Sequence, residues 1–203
     1  MDFFSWHCYA NRPEEINAFA LFVQNLLQKH GYEGIESILT EYNTMESLKY
    51  PPSTLPHYAA EIGAGLITAQ NSPIDALMYY DMRVMSMNGI YYRNKYYQIE
   101  RLHGFYAMKF FGNLFKLENQ IELVCDYQGI YALAASDGKD FGIMLAVRDC
   151  SGKIEIEMSN SDKNTVVVTE SSYEKPIVET ELKVADGRLS LTVQKDTLYY
   201  IKG

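Results

Sequence analysis

The sequence predicts an α/β part joined to an all-β part: three β/α units with parallel strands, followed by an antiparallel sandwich or barrel. Three observations lead there. Up to about Leu117, short apolar runs alternate with segments of helical period. From about Glu118 the apolar period drops to two, and Asp137-Gly138, Ser151-Gly152 and Asp186-Gly187 break the runs as hairpin turns do. No Gly/Ser linker separates the parts, so residues 1–117 and 118–203 are expected to be two domains that pack rigidly.

The elements follow in order. Phe3 to Tyr9 is an aromatic-rich apolar run stopped by Asn11-Arg12-Pro13, which is a strand ending in a turn. Pro13 in a first helical turn with Glu14 and Glu15 opens a helix whose expected face is Ile16, Phe19, Ala20, Val23, Leu26 and Leu27, closed by Gly31. Ser37 to Tyr42 is a second strand. A loop with Pro51 and Pro52 leads to a helix from about Pro56 to Gln70, rich in Ala and Gly and so suited to close backbone approach. Asp75 to Tyr80 is a third strand. After a polar, tyrosine-rich loop, Gln98 to Lys116 is expected to be a third helix with Leu102, Phe105, Tyr106 and Phe110 inward. The order β-α-β-α-β-α implies parallel strands with right-handed crossovers. Beyond it, Ile121–Cys125, Ile130–Ala134, Phe141–Val147, Ile154–Met158 and Leu189–Val193 are the sandwich strands.

Composition narrows the partners. The 203 residues carry a formal charge of -8 with a pI near 5.0, which leaves no basic footprint for nucleic acid or anionic lipid. No apolar run spans a bilayer, and Met1-Asp2-Phe3-Phe4-Ser5 has no basic leader, so the cytoplasm is the expected compartment. Cys8, Cys125 and Cys150 are widely spaced and far from any metal-ligand pattern; they are expected to be reduced thiols, with no metal and no cofactor. Asp137-Gly138-Lys139-Asp140 is too short for a calcium loop and reads as a hairpin turn. The chain has 17 tyrosines against one tryptophan. A phenol offers a flat face and a hydroxyl, which suits sugars as well as interfaces and strands.

Glu41 is the residue that draws attention. A carboxylate near the end of a buried parallel strand is costly unless a site uses it, and strand C-terminal ends hold the active sites of closed α/β barrels. Alternation places Leu39, Glu41 and Asn43 on one face of their strand, and Ser5, His7 and Tyr9 on one face of the preceding strand. Taken singly, Glu41 also fits a surface position past a strand, and His7 a satisfied core histidine. Their convergence with Asn43 and Tyr9 favours a site.

The runs Asp2-Phe3-Phe4-Ser5-Trp6-His7-Cys8-Tyr9, Ser37-Ile38-Leu39-Thr40-Glu41-Tyr42-Asn43 and Ser72-Pro73-Ile74-Asp75-Ala76-Leu77-Met78-Tyr79-Tyr80-Asp81 resemble strands six, seven and eight of clan A glycoside hydrolases, and most of all glycoside hydrolase family 39, the β-xylosidase group. Tyr106 to Leu114 resembles that family's last barrel helix and the remainder its C-terminal β-sandwich. The resemblance implies a partial (β/α) TIM-type barrel of three β/α units followed by an antiparallel β-sandwich, and a retaining β-glycosidase with Glu41 as nucleophile, His7, Tyr9 and Asn43 around it, and Tyr79 and Tyr80 as substrate-binding residues. Tyr91, Tyr92, Tyr96 and Tyr97 would add sugar platforms, or else pack between barrel and sandwich.

The chain departs from the family in one decisive respect. Such enzymes carry the proton-donating glutamate on strand four, in an Asn-Glu pair, and this chain starts at what resembles strand six. None of Glu14, Glu15, Glu33, Glu36, Glu46 or Glu61 replaces it. Met1 directly before a strand suits a truncation or a separate reading frame. The missing N-terminal barrel half, or a homo-oligomer formed through the open sheet, would then complete the site, and the chain alone is expected to lack appreciable activity. A noncatalytic carbohydrate-binding or scaffold module is the alternative reading.

Overall fold

The computed structural model describes residues 2–50, 55, 57–84, 86, 89–158, 162–173 and 177–203. The loop expected around Pro51 and Pro52, and the expected helix start at Pro56, lie outside the described residues. The chain divides into two compact units: Met1–Leu55 with Gly65–Leu102, and Pro56–Ala64 with His103–Gly203. No helix among the described residues is long and apolar enough to cross a membrane.

The first unit is built on three parallel strands, β1 (Phe3–Ala10), β2 (Glu36–Thr44) and β3 (Ala76–Tyr79), hydrogen-bonded in the order β1-β2-β3. Helix α1 (Pro13–Lys29) starts on Pro13 with Glu14 and Glu15 in its first turn and Lys29 in its last, an arrangement that suits the helix dipole. The chain then turns through Gly31 at φ 75°, a conformation that favours glycine. Ile16, Ala20, Val23 and Leu27 are buried. Phe19 and Leu26, expected on the same face, are 49% and 38% exposed. Three strands cover only one stripe of the helix, and these two side chains lie outside it. Ile16 joins Cys8, Ala10, Leu39, Tyr42 and Ala69 in one core, with Trp6, Ile74, Leu77 and Tyr79 packed against it. Each large apolar side chain so buried contributes about 1.5–3 kcal/mol. Ala69 belongs to helix α2 (Tyr58–Gln70). Its Gly65 meets the Tyr42 phenol so closely that a Cβ would collide with the ring, which is the close approach expected of a small-residue helix.

On the opposite face of this sheet Phe3 and Met78 are about half exposed. Parallel sheets are ordinarily covered on both faces.

The region from Gln98 departs from the expected helix. Residues 98–101 pair instead in a hairpin, β4 (Tyr91–Arg93) against β5 (Ile99–Arg101), and helix α3 runs only over His103–Phe115. The hairpin prevails because the Asn94 side chain ties its turn, its Oδ1 accepting the N–H groups of Tyr96 at 2.9 Å and Gln98 at 3.1 Å. In α3 the buried positions are Gly104, Ala107, Phe110 and Leu114, with Phe105 and Tyr106 half-buried.

The second unit has one antiparallel sheet of eight strands: β6 (Asn119–Ile121), β7 (Ile130–Ser136), β8 (Phe141–Val147), β9 (Gly152–Glu157), β10 (Thr165–Ser171), β11 (Val178–Ala185), β12 (Arg188–Val193) and β13 (Thr197–Lys202). The hydrogen-bonded order is β6-β7-β8-β13-β10-β11-β12-β9. Strands β7 and β9 stand six spacings apart in that order, about 29 Å in a flat sheet. Yet Ile130 and Ala134 of β7 share a core with Ile154 of β9 and with Leu189, Leu191 and Val193 of β12. The sheet must therefore curl over on itself. Hydrogen bonding is continuous, where a sandwich of two separate sheets was expected, because the twist of long antiparallel strands lets one sheet fold over its own apolar face.

The outer side of this sheet is also covered. Strands β8 and β13 read buried at nearly every position. Phe110 of α3 stacks on Tyr200 with centroids 5.4 Å apart and an interplanar angle of 24°. Gly63 lets Leu198 and Met144 pack directly on α2, and Glu61 beside it forms a buried ion pair with Arg148.

Candidate active site

Strand β2 carries one residue more than either neighbour. Trp6 pairs with Leu39 and His7 with Glu41, so the register slips by one between them. On the other side Leu39 pairs with Leu77 and Tyr42 with Tyr79, which again leaves one extra residue on β2. This is a β-bulge at Thr40, and a bulge re-aims the side chains that follow it. Thr40 Oγ1 donates to the Trp6 carbonyl oxygen at 3.1 Å, giving that carbonyl a partner where the ladder is broken. The bulge shifts the alternation, so Leu39 lies in the core with Tyr42 and does not share the Glu41 face as alternation alone predicts. Downstream, Glu41 faces His7 and Asn43 faces Tyr9.

The base of the site is tied from the same strands. Trp6 Nε1–H donates to Ser37 Oγ at 3.0 Å, and the Ser37 N–H donates to Asp75 Oδ2 at 2.7 Å. At the upper end, His7 Nδ1 lies 3.0 Å from Glu41 Oε2. A carboxylate only accepts, so the ring nitrogen is the donor. The Tyr9 hydroxyl also donates to Glu41, and its pKa is pushed up to about 12 by burial first, then by the charge and hydrogen bond of Glu41, with Tyr80 and Asp81 adding to it. Tyr9 thus remains a protonated donor throughout the neutral range.

A second carboxyl stands behind Tyr9. Asp81 is buried. Burial alone would raise its pKa, but hydrogen bonds from Arg83 and Ser86 and the Arg83 charge outweigh it and hold the carboxyl below its ordinary range. Arg83 reaches Asp81 Oδ2 through Nε at 2.8 Å and Nη2 at 2.6 Å, and its Nη2 also donates to the Tyr80 hydroxyl at 3.1 Å. An ionised Asp81 clamped in this way is no proton donor. It serves to fix Tyr80 and Arg83.

The expected site residues fall into four placements. Glu41, His7 and Tyr9 come together. Asn43 is fully buried: its Nδ2 donates to the Tyr80 carbonyl oxygen at 2.5 Å and its Oδ1 accepts the Thr44 N–H at 2.7 Å, so it positions the chain after β3 and does not meet solvent. Tyr80 is at the rim, held by Arg83. Tyr79 lies edge-on to Tyr42 at 6.4 Å and packs against the core on the helix side of the sheet. Asp81 and Arg83 were not anticipated. Their Asp-x-Arg spacing after a strand is a faint signal that only the fold makes legible.

No known family profile matches the chain, and no curated protein matches it. Solved structures do. The glucosidase of Croceicoccus marinus covers the whole chain with a TM-score of 0.73 at 16% identity. The thermostable family 51 α-L-arabinofuranosidase of Thermotoga petrophila does so with the same TM-score and identity. The family 39 enzyme of Xanthomonas axonopodis pv. citri covers it with 0.71 at 12% identity. The chain has the fold of clan A glycoside hydrolases. It spans about half the length of these glycoside hydrolases, 53%, 53% and 54% respectively, as the resemblance to a C-terminal portion requires. At these identities the likeness concerns the fold.

Proposed function

We propose that this chain is the nucleophile-bearing C-terminal portion of a retaining, β-xylosidase-like glycoside hydrolase acting on β-glycosides. The observation that carries the reading is the placement of Glu41 at the C-terminal end of a parallel strand, with His7 Nδ1 at 3.0 Å and the Tyr9 hydroxyl as a second donor. In a retaining mechanism Glu41 attacks the anomeric carbon, the glycosidic C–O bond breaks, and a second carboxyl about 5–5.5 Å away protonates the leaving oxygen. His7 and Tyr9 hold the nucleophile in line, and Tyr80 borders the sugar.

In this reading residues 1–117 are three β/α units of the barrel and 118–203 its sandwich. An N-terminal barrel half, or a second copy of the chain, supplies the proton donor and the remaining walls. Missing acid catalysis alone lowers rates by about 10²–10⁴-fold, so the chain by itself is inactive. The cytoplasm remains the proposed compartment, on Cys8, Cys125 and Cys150 standing as free thiols.

The test combines light scattering with hydrolysis of an aryl β-xyloside on one sample. A monomer without turnover, or an oligomer whose turnover is abolished by Glu41→Gln, supports the proposal. Turnover by a monomer, or turnover that survives Glu41→Gln, overturns it.

A further inference from the structure

Two of the three cysteines meet at one end of the second unit. Strand β6 pairs Ile121 with Ala134, and continuing in that direction sets Leu123 opposite Ala132 and Cys125 opposite Ile130. Leu123 and Ala132 both pack on the core of the sheet, and Cys125 Sγ donates to the Ile130 carbonyl oxygen at 3.7 Å. A turn closes between them: the Ile130 N–H donates to the Tyr127 carbonyl oxygen at 3.2 Å, with Gly129 at φ 80°. Alternation gives Cys125 the same face as Leu123.

Cys150 arrives at that end from the other side. Ile130 pairs with Val147 across β7 and β8, and the Arg148 N–H donates to the Gly129 carbonyl oxygen at 2.8 Å. The next residue, Asp149, lies against the turn, so that a Cβ on Gly129 would stand 3.3 Å from the Asp149 Cβ. Cys150 follows and packs on the core that holds Ile130 and Val147. Both thiols thus stand at the Ile130 end of one core. They lie within electrostatic reach, since burial first, then the charges of Asp149 and Cys125, hold the Cys150 pKa above its ordinary value. Both are free, Cys125 exposed and Cys150 half-buried. Cys8 takes no part: it is buried in the core of the first unit, its pKa pushed up to about 11 by burial and then by the Glu15 charge.

We propose that Cys125 and Cys150 form a reversible dithiol–disulfide pair, closed by exchange with a small-molecule disulfide and reopened by a small-molecule thiol. Cys125 is exposed and reacts first. Its thiolate attacks one sulfur of the reagent, forms a mixed disulfide and releases one reagent thiolate. Cys150 gives its proton to solvent and attacks the Cys125 sulfur, which expels the second reagent thiolate. The two protein thiols lose two electrons and two protons, and the S–S bond of the reagent is reduced to two thiols. The bridge ties the stretch that follows β6, where the ladder has ended, to the exit of β8. A reducing compartment keeps the pair open, and oxidising conditions close it.

The test equilibrates the full chain with oxidised and reduced glutathione, quenches with acid, unfolds, alkylates with N-ethylmaleimide and reads intact mass and peptide map. The expected product carries one internal Cys125–Cys150 bridge and one alkylated cysteine, Cys8, and dithiothreitol returns all three thiols. Cys8→Ser bridges as the parent chain does; Cys125→Ser and Cys150→Ser form no internal bridge. The folded chain favours closure about thirtyfold or more over the urea-unfolded chain, the usual stabilisation by a disulfide written as a ratio. Three thiols still open to alkylation, a glutathione adduct that persists on Cys125, a bridge between two copies, or closure no more favourable folded than in urea overturns the pair.

Discussion

Thr40 donates its hydroxyl to the carbonyl oxygen of Trp6 at 3.1 Å, at the one point where β2 holds a residue more than β1. That bond secures the bulge, and the bulge sets Glu41 opposite His7 while returning Leu39 to the core.

Replacing Thr40 with valine keeps its shape and removes the donor. A carbonyl left without its partner costs about 1–3 kcal/mol, so Thr40→Val is expected to lower the unfolding free energy by that amount, read as a lower denaturant midpoint at unchanged slope. The His7 ring resonances should also lose the chemical shift imposed by Glu41. Unchanged stability and unchanged His7 shifts would show that the bulge holds without this bond.

Tyr9 reports on the charge of Glu41. Its phenol is pushed up to about 12, with Glu41 second only to burial as the cause. Glu41→Gln removes the charge, so the Tyr9 pKa should fall toward the ordinary value of 10.0. Carbon NMR of labelled tyrosine rings, with Tyr9→Phe for assignment, measures it. A Tyr9 pKa unmoved by Glu41→Gln would mean that the two groups do not share a hydrogen bond.

Gly65→Ala tests the close approach of α2 to Tyr42. Alanine favours a helix by about 1 kcal/mol over glycine. The new Cβ, however, lands on a fully buried ring, and overpacking of that kind costs about 1–3 kcal/mol or more. A net loss of stability is expected in thermal melting; a rise in Tm would show that the ring can move aside.

His103 opens α3 with its Nδ1 buried and, among the described residues, without a hydrogen-bond partner, its ring 5.4 Å from that of Tyr173. Burial holds its pKa below the ordinary 6.5. Below pH 6.5 the unfolded chain takes up a proton that the folded chain resists, so this contribution to stability is complete above that pH and is lost as pH falls through the folded value. The chain is expected to unfold more readily at pH 5 than at pH 7.5, and His103→Gln to flatten that dependence. An unaltered pH profile in the variant would assign the loss to other groups.

Residue order alone determined a good deal here. The two periods, the Pro13 helix start and the polar tail of the Ser37–Asn43 strand are local patterns, and they predicted the parallel strands, the later antiparallel ones and the meeting of Glu41, His7 and Tyr9. Pairing decided the rest. Whether Leu39 faces the core or Glu41 depends on a bulge, and a bulge exists only between two strands. Whether Gln98–Arg101 joins a helix or a hairpin depends on the hydrogen bonds of Asn94, and the face that α3 buries depends on Tyr200, 90 residues after Phe110. Asp81 gains meaning only when Arg83 folds back upon it beside Tyr9. Side-chain period is written in consecutive residues; register and charge pairing are set between distant ones, and only the folded chain brings those together.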